Sequence, residues 1–225
     1  MNYRFRVLAM LVAVVGFGFV AASASAQLSI TEVSSNNSLG EDWFEITNTS
    51  GSTVALDGFF WDDDGPAGDD GAVFGNFSIA AGESLIVLEG DATTEVTFRD
   101  IFSLNSAIQV LTEEDFTGND TFSGLSSNGD EISLFDTDPN VAGANFNLID
   151  FVEFPGNTGV SSFDFTQLNP DGTPTLSVAG VNGAITASNG DVGSPGSISA
   201  VPEPGAIALL TMLGTLLSFK RRRQI

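Results

Sequence analysis

The sequence predicts an all-β fold, an antiparallel β-sandwich, for the body of the chain between residues 27 and 196. Three observations predict it: the chain is made of short strand-like runs, apolar and polar residues alternate within most of them, and turn dipeptides such as Asp57-Gly58 separate them. No long stretch repeats apolar residues at the spacing of a helix. Alternation gives each strand one buried and one solvated face, and about seven such strands are typical of a two-sheet sandwich.

Each predicted strand is bounded by residues that favour turns. The second run ends at a turn containing Gly51, the fifth follows Gly82, the sixth opens after Gly129, and the last ends before Pro155. In chain order, the predicted strands are residues 28–33, 43–48, 53–56, 59–61, 84–88, 131–135 and 147–154.

Residues 1–26 have the three parts of a secretory signal peptide. Arg4 and Arg6 precede an apolar run at 7–22, and Ala24 and Ala26 form a small-residue cleavage site. We expect the mature chain to start at Gln27. The alternative, an N-terminal membrane anchor, is disfavoured by the Ala-Ser-Ala end of the segment.

Residues 197–225 have a second three-part pattern. The motif at 201–204 (Val201, Pro202, Glu203, Pro204) precedes an uncharged stretch at 205–219 and a basic end at 220–223. As a helix the apolar stretch would rise about 22 Å, short of a hydrocarbon core of about 30 Å. The basic end would stay in the cytoplasm, and the two prolines would keep the motif extended for a protease.

This tail closely resembles the PEP-CTERM sorting signal, and the motif at 201–204 carries the resemblance. The resemblance implies an exosortase as partner, transient insertion into the inner membrane through 205–219, and removal of the hydrophobic tail. The alternative is an ordinary single-pass anchor.

The body is almost free of positive charge. Of the seven Lys and Arg residues only Arg99 lies between 27 and 200, whereas 28 of the 29 acidic residues lie there, since Glu203 alone is outside. Such a body repels nucleic acid, so we expect no nucleic-acid partner. The chain has no Cys and no His, which excludes disulfides, thiolate chemistry and histidine ligands.

Seven segments of the body, in this order, resemble the lamin-tail domain. The most diagnostic is residues 42–48, in which an acidic residue and an aromatic precede Phe-Glu-Ile-x-Asn. The matching segments are residues 30–33, 42–48, 56–59, 79–85, 125–135, 149–152 and 193–196. The resemblance implies a small immunoglobulin-like sandwich that serves in recognition or as a scaffold and has no shared catalytic site.

The body is longer than that domain, and we expect insertions near 90–124 and 156–189. The first has enough apolar residues, among them Phe98 and Phe102, to pack on the sandwich. The second is rich in Gly, Thr, Ser and Asn and predicts a long loop or an extra hairpin.

An acidic loop follows the fourth predicted strand. Five carboxylates lie within the nine residues 62–70, and interspersed glycines let the chain curl. Hard oxygen ligands at this density suit Ca²⁺, and we predict Asp62, Asp64, Asp69 and Asp70 as its ligands, with no other cofactor. The alternative is a solvated acidic loop without a metal.

We expect no enzyme. Paired carboxylates can hydrolyse glycosides, but nothing in the sequence marks one pair, and a sugar cleft usually brings more aromatics than Trp43 and Trp61. We expect Trp43 to fill the core of the sandwich.

The sequence as a whole indicates an exported protein of a Gram-negative-type bacterium. Its membrane-anchored precursor would be processed and placed on the cell surface or in the extracellular matrix. There a structural, adhesive or binding role is expected, with exopolysaccharide or other matrix proteins as partners and Ca²⁺ bridging acidic groups. The alternative is an extracellular hydrolase or an accessory domain of one.

Overall fold

The computed structural model describes residues 28–35, 41–66, 71–118, 122, 124–156 and 159–197. The predicted signal peptide and sorting tail lie outside these residues. Within them, no helix is both long and apolar enough to cross a membrane.

The described residues form fifteen short strands and one α-helix, α1 (Ala92–Phe102), with a single 3-10 turn at Glu113–Asp115. The strands are β1 (Leu28–Ser34), β2 (Trp43–Asn48), β3 (Val54–Ala55), β4 (Phe60–Asp62), β5 (Ala72–Phe74), β6 (Ser78–Ile79), β7 (Ser84–Leu88), β8 (Gln109–Leu111), β9 (Phe116–Gly118), β10 (Gly129–Phe135), β11 (Leu148–Pro155), β12 (Phe163–Leu168), β13 (Pro174–Leu176), β14 (Ile185–Thr186) and β15 (Val192–Gly193).

Two sheets form an immunoglobulin-like sandwich, which confirms the predicted fold class. One sheet has six strands in the order β13-β12-β1-β2-β7-β8, and the other has five in the order β11-β10-β4-β5-β9. All pairs within them are antiparallel except β7 with β8. Two short pairs, β3-β6 and β14-β15, lie outside the main sheets.

The core between the sheets comes from alternate residues of facing strands. Phe44, Ile46 and Val87 of the six-stranded sheet share one buried cluster with Trp61 and Leu134 of the five-stranded sheet. Phe44 contacts Trp61 edge-on, with 4.9 Å between ring centroids. Aromatic pairs of this kind favour offset and edge-to-face geometry, so the many Phe residues serve packing.

The six-stranded sheet is buried on its outer face as well. Trp43, Ile86 and Leu88 point away from the sandwich core and pack beneath Phe98 and Phe102 of α1. The expectation of one solvated face per strand is therefore wrong for β2 and β7, all of whose residues are buried. The prediction that Trp43 fills the core of the sandwich is also wrong, because Trp43 is buried under the helix and not between the sheets.

The helix α1 begins and ends at residues that suit those positions. The side chain of Asp91 accepts hydrogen bonds from the N–H groups of Thr93 and Thr94, and the Thr94 hydroxyl completes a capping box. Ser103 ends the helix in the left-handed conformation.

The two segments predicted as insertions both add strands to the main sheets. Residues 90–124 hold α1, β8 and β9, and β8 and β9 each form an edge of one sheet. Residues 156–189 hold the hairpin β12-β13, which forms the opposite edge of the six-stranded sheet, together with β14.

Replacing Phe98 by Ala is expected to lower the free energy of unfolding by about 3–5 kcal/mol, because Phe98 is fully buried against Trp43 and the cavity would remain. The control is Val96→Ala on the same helix, where the side chain is 59% exposed and the effect should stay within about 0.5 kcal/mol. Urea unfolding followed by tryptophan fluorescence measures both. Equal effects of the two substitutions would show that the helix does not cover the sheet.

Candidate functional site

Two buried carboxylates face each other on the outer face of the six-stranded sheet. In the pairing of β1 with β2, Glu32 lies directly opposite Glu45, and each side chain is only 2% exposed. Neighbours opposite each other on antiparallel strands are close enough to interact, and like charges there are unfavourable. The pair therefore needs strong compensation from its surroundings.

Glu32 receives its compensation from three serines. Its carboxylate accepts hydrogen bonds from the hydroxyls of Ser162 and Ser177. It also accepts both the backbone N–H of Ser194, at 2.8 Å, and the hydroxyl of the same residue, at 2.8 Å.

Glu45 is held in a similar way by donors from β1, from its own strand and from the chain that follows β15. Its carboxylate accepts the Thr31 hydroxyl at 2.6 Å and the Thr47 hydroxyl at 3.3 Å. The backbone N–H of Gly196 donates to the other oxygen at 2.6 Å.

The segment Gly193–Gly196, which we call the exit segment, thus lies over the carboxylate pair and is hydrogen-bonded to both members. Its glycines fit this close approach. A Cβ on Gly193 would lie 3.2 Å from both Glu32 and Trp43, and one on Gly196 would lie 2.2 Å from Ile108. Gly196 also has φ +72°, a backbone conformation that favours glycine.

No Lys or Arg among the described residues neutralises the pair, and burial favours its protonated form. Arg99, the one Lys or Arg among the described residues, forms its ion pair with Glu95 at 2.7 Å. Burial, reinforced by the charge of Glu32, raises the pKa of Glu45 to about 7. Burial also raises the pKa of Glu32, although the hydrogen bonds from Ser162 and Ser194 oppose the shift. Both shifts favour the protonated form of the pair below neutral pH.

This arrangement holds the fold together and has no access for a substrate. Both carboxylates are sealed beneath the exit segment, and their oxygens are occupied by donors of the chain itself. The sequence did not single out the pair, although Glu32 and Glu45 both lie in segments that resemble the lamin-tail domain. The exit segment is a third such segment, so three segments that are far apart in the sequence meet at one place.

The predicted calcium ligands are only partly described. Asp62 is fully buried at the end of β4, and its carboxylate accepts the N–H of Asp64 at 2.9 Å, so it shapes the turn. Asp64 is exposed, whereas Asp69 and Asp70 lie outside the described residues. Among the residues that are described, no three His, Cys, Asp or Glu side chains form a group that could hold a metal ion. Calcium binding at this loop stays a prediction.

The structure places further acidic residues close to this loop. An oxygen of Glu131 lies 2.5 Å from where a Cβ of Gly65 would be, and Glu131 stands opposite Glu153 in the β10-β11 pairing. Burial of Asp42 is the main cause that raises its pKa to about 7. The negative charges of Glu89 and of Asp130, which is next to Glu131 in the chain, add to this shift. Strand register brings these groups together, which the sequence did not reveal.

The residues predicted for processing, Ala24 and Ala26 at one end and the motif at 201–204 at the other, lie outside the described residues.

The family model of the Lamin Tail Domain matches residues 21–174, more than half of the chain. The protein belongs to the lamin tail domain family. The matched range ends before the exit segment, whose N–H groups bind Glu32 and Glu45 within it.

No curated protein matches the chain. Among solved structures it is similar to a DUF4876 family protein from Bacteroides thetaiotaomicron, with 13% identity and a TM-score of 0.39. That match covers 67% of this chain and 65% of the other, just under two-thirds of the neighbour's length.

The buried pair predicts that stability falls as pH rises. A carboxyl with a raised pKa in the folded state contributes fully below its unfolded value of 4.5, and the contribution is lost as pH rises through the folded value of about 7. The Glu45→Gln variant cannot titrate at this position. Its free energy of unfolding relative to wild type should therefore increase by roughly 1–3 kcal/mol between pH 4.5 and 8.

Urea unfolding across this pH range measures the difference. Burial also raises the pKa values of Asp42 and Asp150, so the comparison with the variant, and not the wild-type slope alone, isolates Glu45. The matched control is Glu114→Gln at an exposed position, which should keep the wild-type slope. Parallel pH profiles for wild type and Glu45→Gln would contradict the assignment.

Proposed function

We propose that this protein is an exported, exosortase-processed and non-catalytic component of the cell surface or extracellular matrix. The observation that carries the proposal is the order of the tail, in which the motif at 201–204, the apolar stretch and the basic end follow one another. Export through the signal peptide at 1–26 supports the same destination.

A binding or structural role fits the family. The lamin tail domain is a non-enzymatic immunoglobulin-like fold, and in the described part of this chain the paired carboxylates serve to fasten the exit segment. Their burial removes the most obvious acid–base pair from contact with substrate.

Adhesion through divalent cations is the mechanism that we propose for this role. The body carries 28 acidic residues against one Arg, so direct contact with an anionic exopolysaccharide or another acidic matrix protein is repulsive. Calcium ions shared between carboxylates of both partners would reverse the sign of that interaction. The opposed side chains of Glu131 and Glu153, beside the acidic loop, support this proposal because a cation would relieve their repulsion.

Processing is tested by mass spectrometry of the C-terminus. Protein recovered from culture fluid should end near Pro202–Pro204 and lack the apolar stretch, whereas protein in the membrane fraction should keep residue 225. Replacing Pro202, Glu203 and Pro204 together by Ala should leave full-length protein in the membrane fraction. The control Ser199→Gly should be processed as wild type. Recovery of secreted protein that keeps its intact tail would contradict the proposal.

Calcium binding is tested by isothermal titration of Ca²⁺ into the purified protein. Changing Asp64, Asp69 and Asp70 to Asn should abolish most of the binding heat, because it removes three of the four predicted ligands. Asp62 is left intact because it shapes the turn. The control Asp138→Asn with Glu114→Gln should retain the heat, and a wild-type protein that shows no calcium heat would refute the site.

A further inference from the structure

A cleft of about 580 Å³ lies along one open side of the sandwich, between β11 and the tip of the hairpin β12-β13. We call it the edge cleft. Its lining includes Ile30, Phe165 and Leu168 as apolar residues and Asp150, Glu153 and Asp171 as acidic ones.

The cleft exists because β12 leaves β1 after a short contact. The two strands pair only where Glu32 meets Asp164 and Val33 meets Phe163. The first half of β1 therefore has β2 on one side and no described strand on the other. The N–H of Ile30 points into this gap, where the carboxylate of Asp150 accepts it at 2.7 Å.

On the other side of the cleft, β11 is an edge strand. Its residues pair with β10 from Leu148 to Pro155, and no strand among the described residues pairs with its second edge. An unpaired edge of this length is a template for an added strand. Main-chain hydrogen bonds would provide affinity, and the cleft beside the strand would receive alternate side chains.

The apolar part of the cleft is open to an incoming side chain. Phe165 is partly buried and packs on the sandwich core, whereas Leu168 is 57% exposed. Together they provide one apolar contact surface next to an open strand edge. An extended peptide can use both at once.

The negative charge of the cleft favours a positively charged occupant. Its lining includes three carboxylates and no Lys or Arg. The side chain and N–H of Thr173 lower the pKa of Asp171, which therefore stays ionised. A second copy of this chain would bring its own Glu153 and a strongly acidic body, so it is repelled, and a cationic strand is attracted.

We propose that the edge cleft binds an extended segment of a partner protein in which apolar residues alternate with Lys or Arg. The segment adds to β11 as a further strand, places an apolar side chain against Phe165 and Leu168, and directs its cations to Glu153 and Asp171. This interaction does not depend on the sorting tail, and calcium held between Glu131 and Glu153 would compete with it for Glu153.

The test uses the full chain purified in a mild non-ionic detergent and a fluorescent, end-capped peptide of about eight residues in which Val and Lys alternate. Fluorescence anisotropy should show saturable binding. Leu168→Ser should weaken it about tenfold, because an apolar contact is lost. Glu153→Gln and Asp171→Asn should each weaken it about two- to fivefold, as expected for exposed charge pairs.

Matched controls separate the cleft from general effects. Val96→Ser removes an equally exposed apolar side chain on α1, and Glu114→Gln removes an exposed charge elsewhere, so both should bind as wild type. Leu168 is exposed, so its variant should keep the wild-type circular dichroism spectrum. Hydrogen exchange should slow at the amides of β11 when the peptide is bound.

Three results would overturn the proposal. One is equal binding of a peptide with Glu in place of Lys. Another is equal binding of a peptide with Pro in place of Val, because charge alone would then explain the attraction. The third is a dimer of the free protein, seen by analytical ultracentrifugation and lost in Leu168→Ser, which would assign the cleft to a second copy.

Discussion

The fold depends on the neutralisation of two carboxylates that the sheet forces together. The register of β1 with β2 places Glu32 against Glu45 in a buried site that holds no cation among the described residues. Burying charge is costly unless it is paired and hydrogen-bonded. Here hydroxyls and two backbone N–H groups take the place of a counter-ion, and burial favours the protonated form of the pair. Because the backbone donors come from the exit segment, hydrogen bonds link the first two strands directly to the last described residues.

The same sheet explains why a helix appears in a chain that otherwise reads as strands. Trp43, Ile86 and Leu88 point outward and would be exposed without α1 above them. The outer face of β2 is thus apolar at one end, under the helix, and carboxylate-bearing at the other, under the exit segment. Each half requires a different cover, and the chain supplies both from segments that follow β7.

The sequence could predict the sandwich because its evidence is local. Alternation and turn residues identify strands such as β1, β2, β7 and β10 without knowledge of their partners. The helix was missed because only Phe98 and Phe102 of α1 are buried, so its apolar spacing is too sparse to stand out. The carboxylate pair could not be predicted because it requires the register of β1 with β2 and the path of a segment more than 150 residues away. The acidic loop is a case in which composition indicated a ligand at Asp62, and the structure adds that one oxygen of its carboxylate accepts the N–H of Asp64 in a turn, so calcium binding there stays a prediction.

The fastening of Gly196 sets the length of the tether between the folded body and any tail that follows. From Gly196 to Val201 there are five residues, which span at most about 18 Å when fully extended. For a tail that enters the inner membrane as proposed, the folded body would therefore be held close against the lipid surface, and a protease acting at the motif would work in a narrow gap beneath it. Release of the exit segment from Glu32 and Glu45 would lengthen the tether, so the hydrogen bonds that hold this segment would also set the reach of the cleavage site.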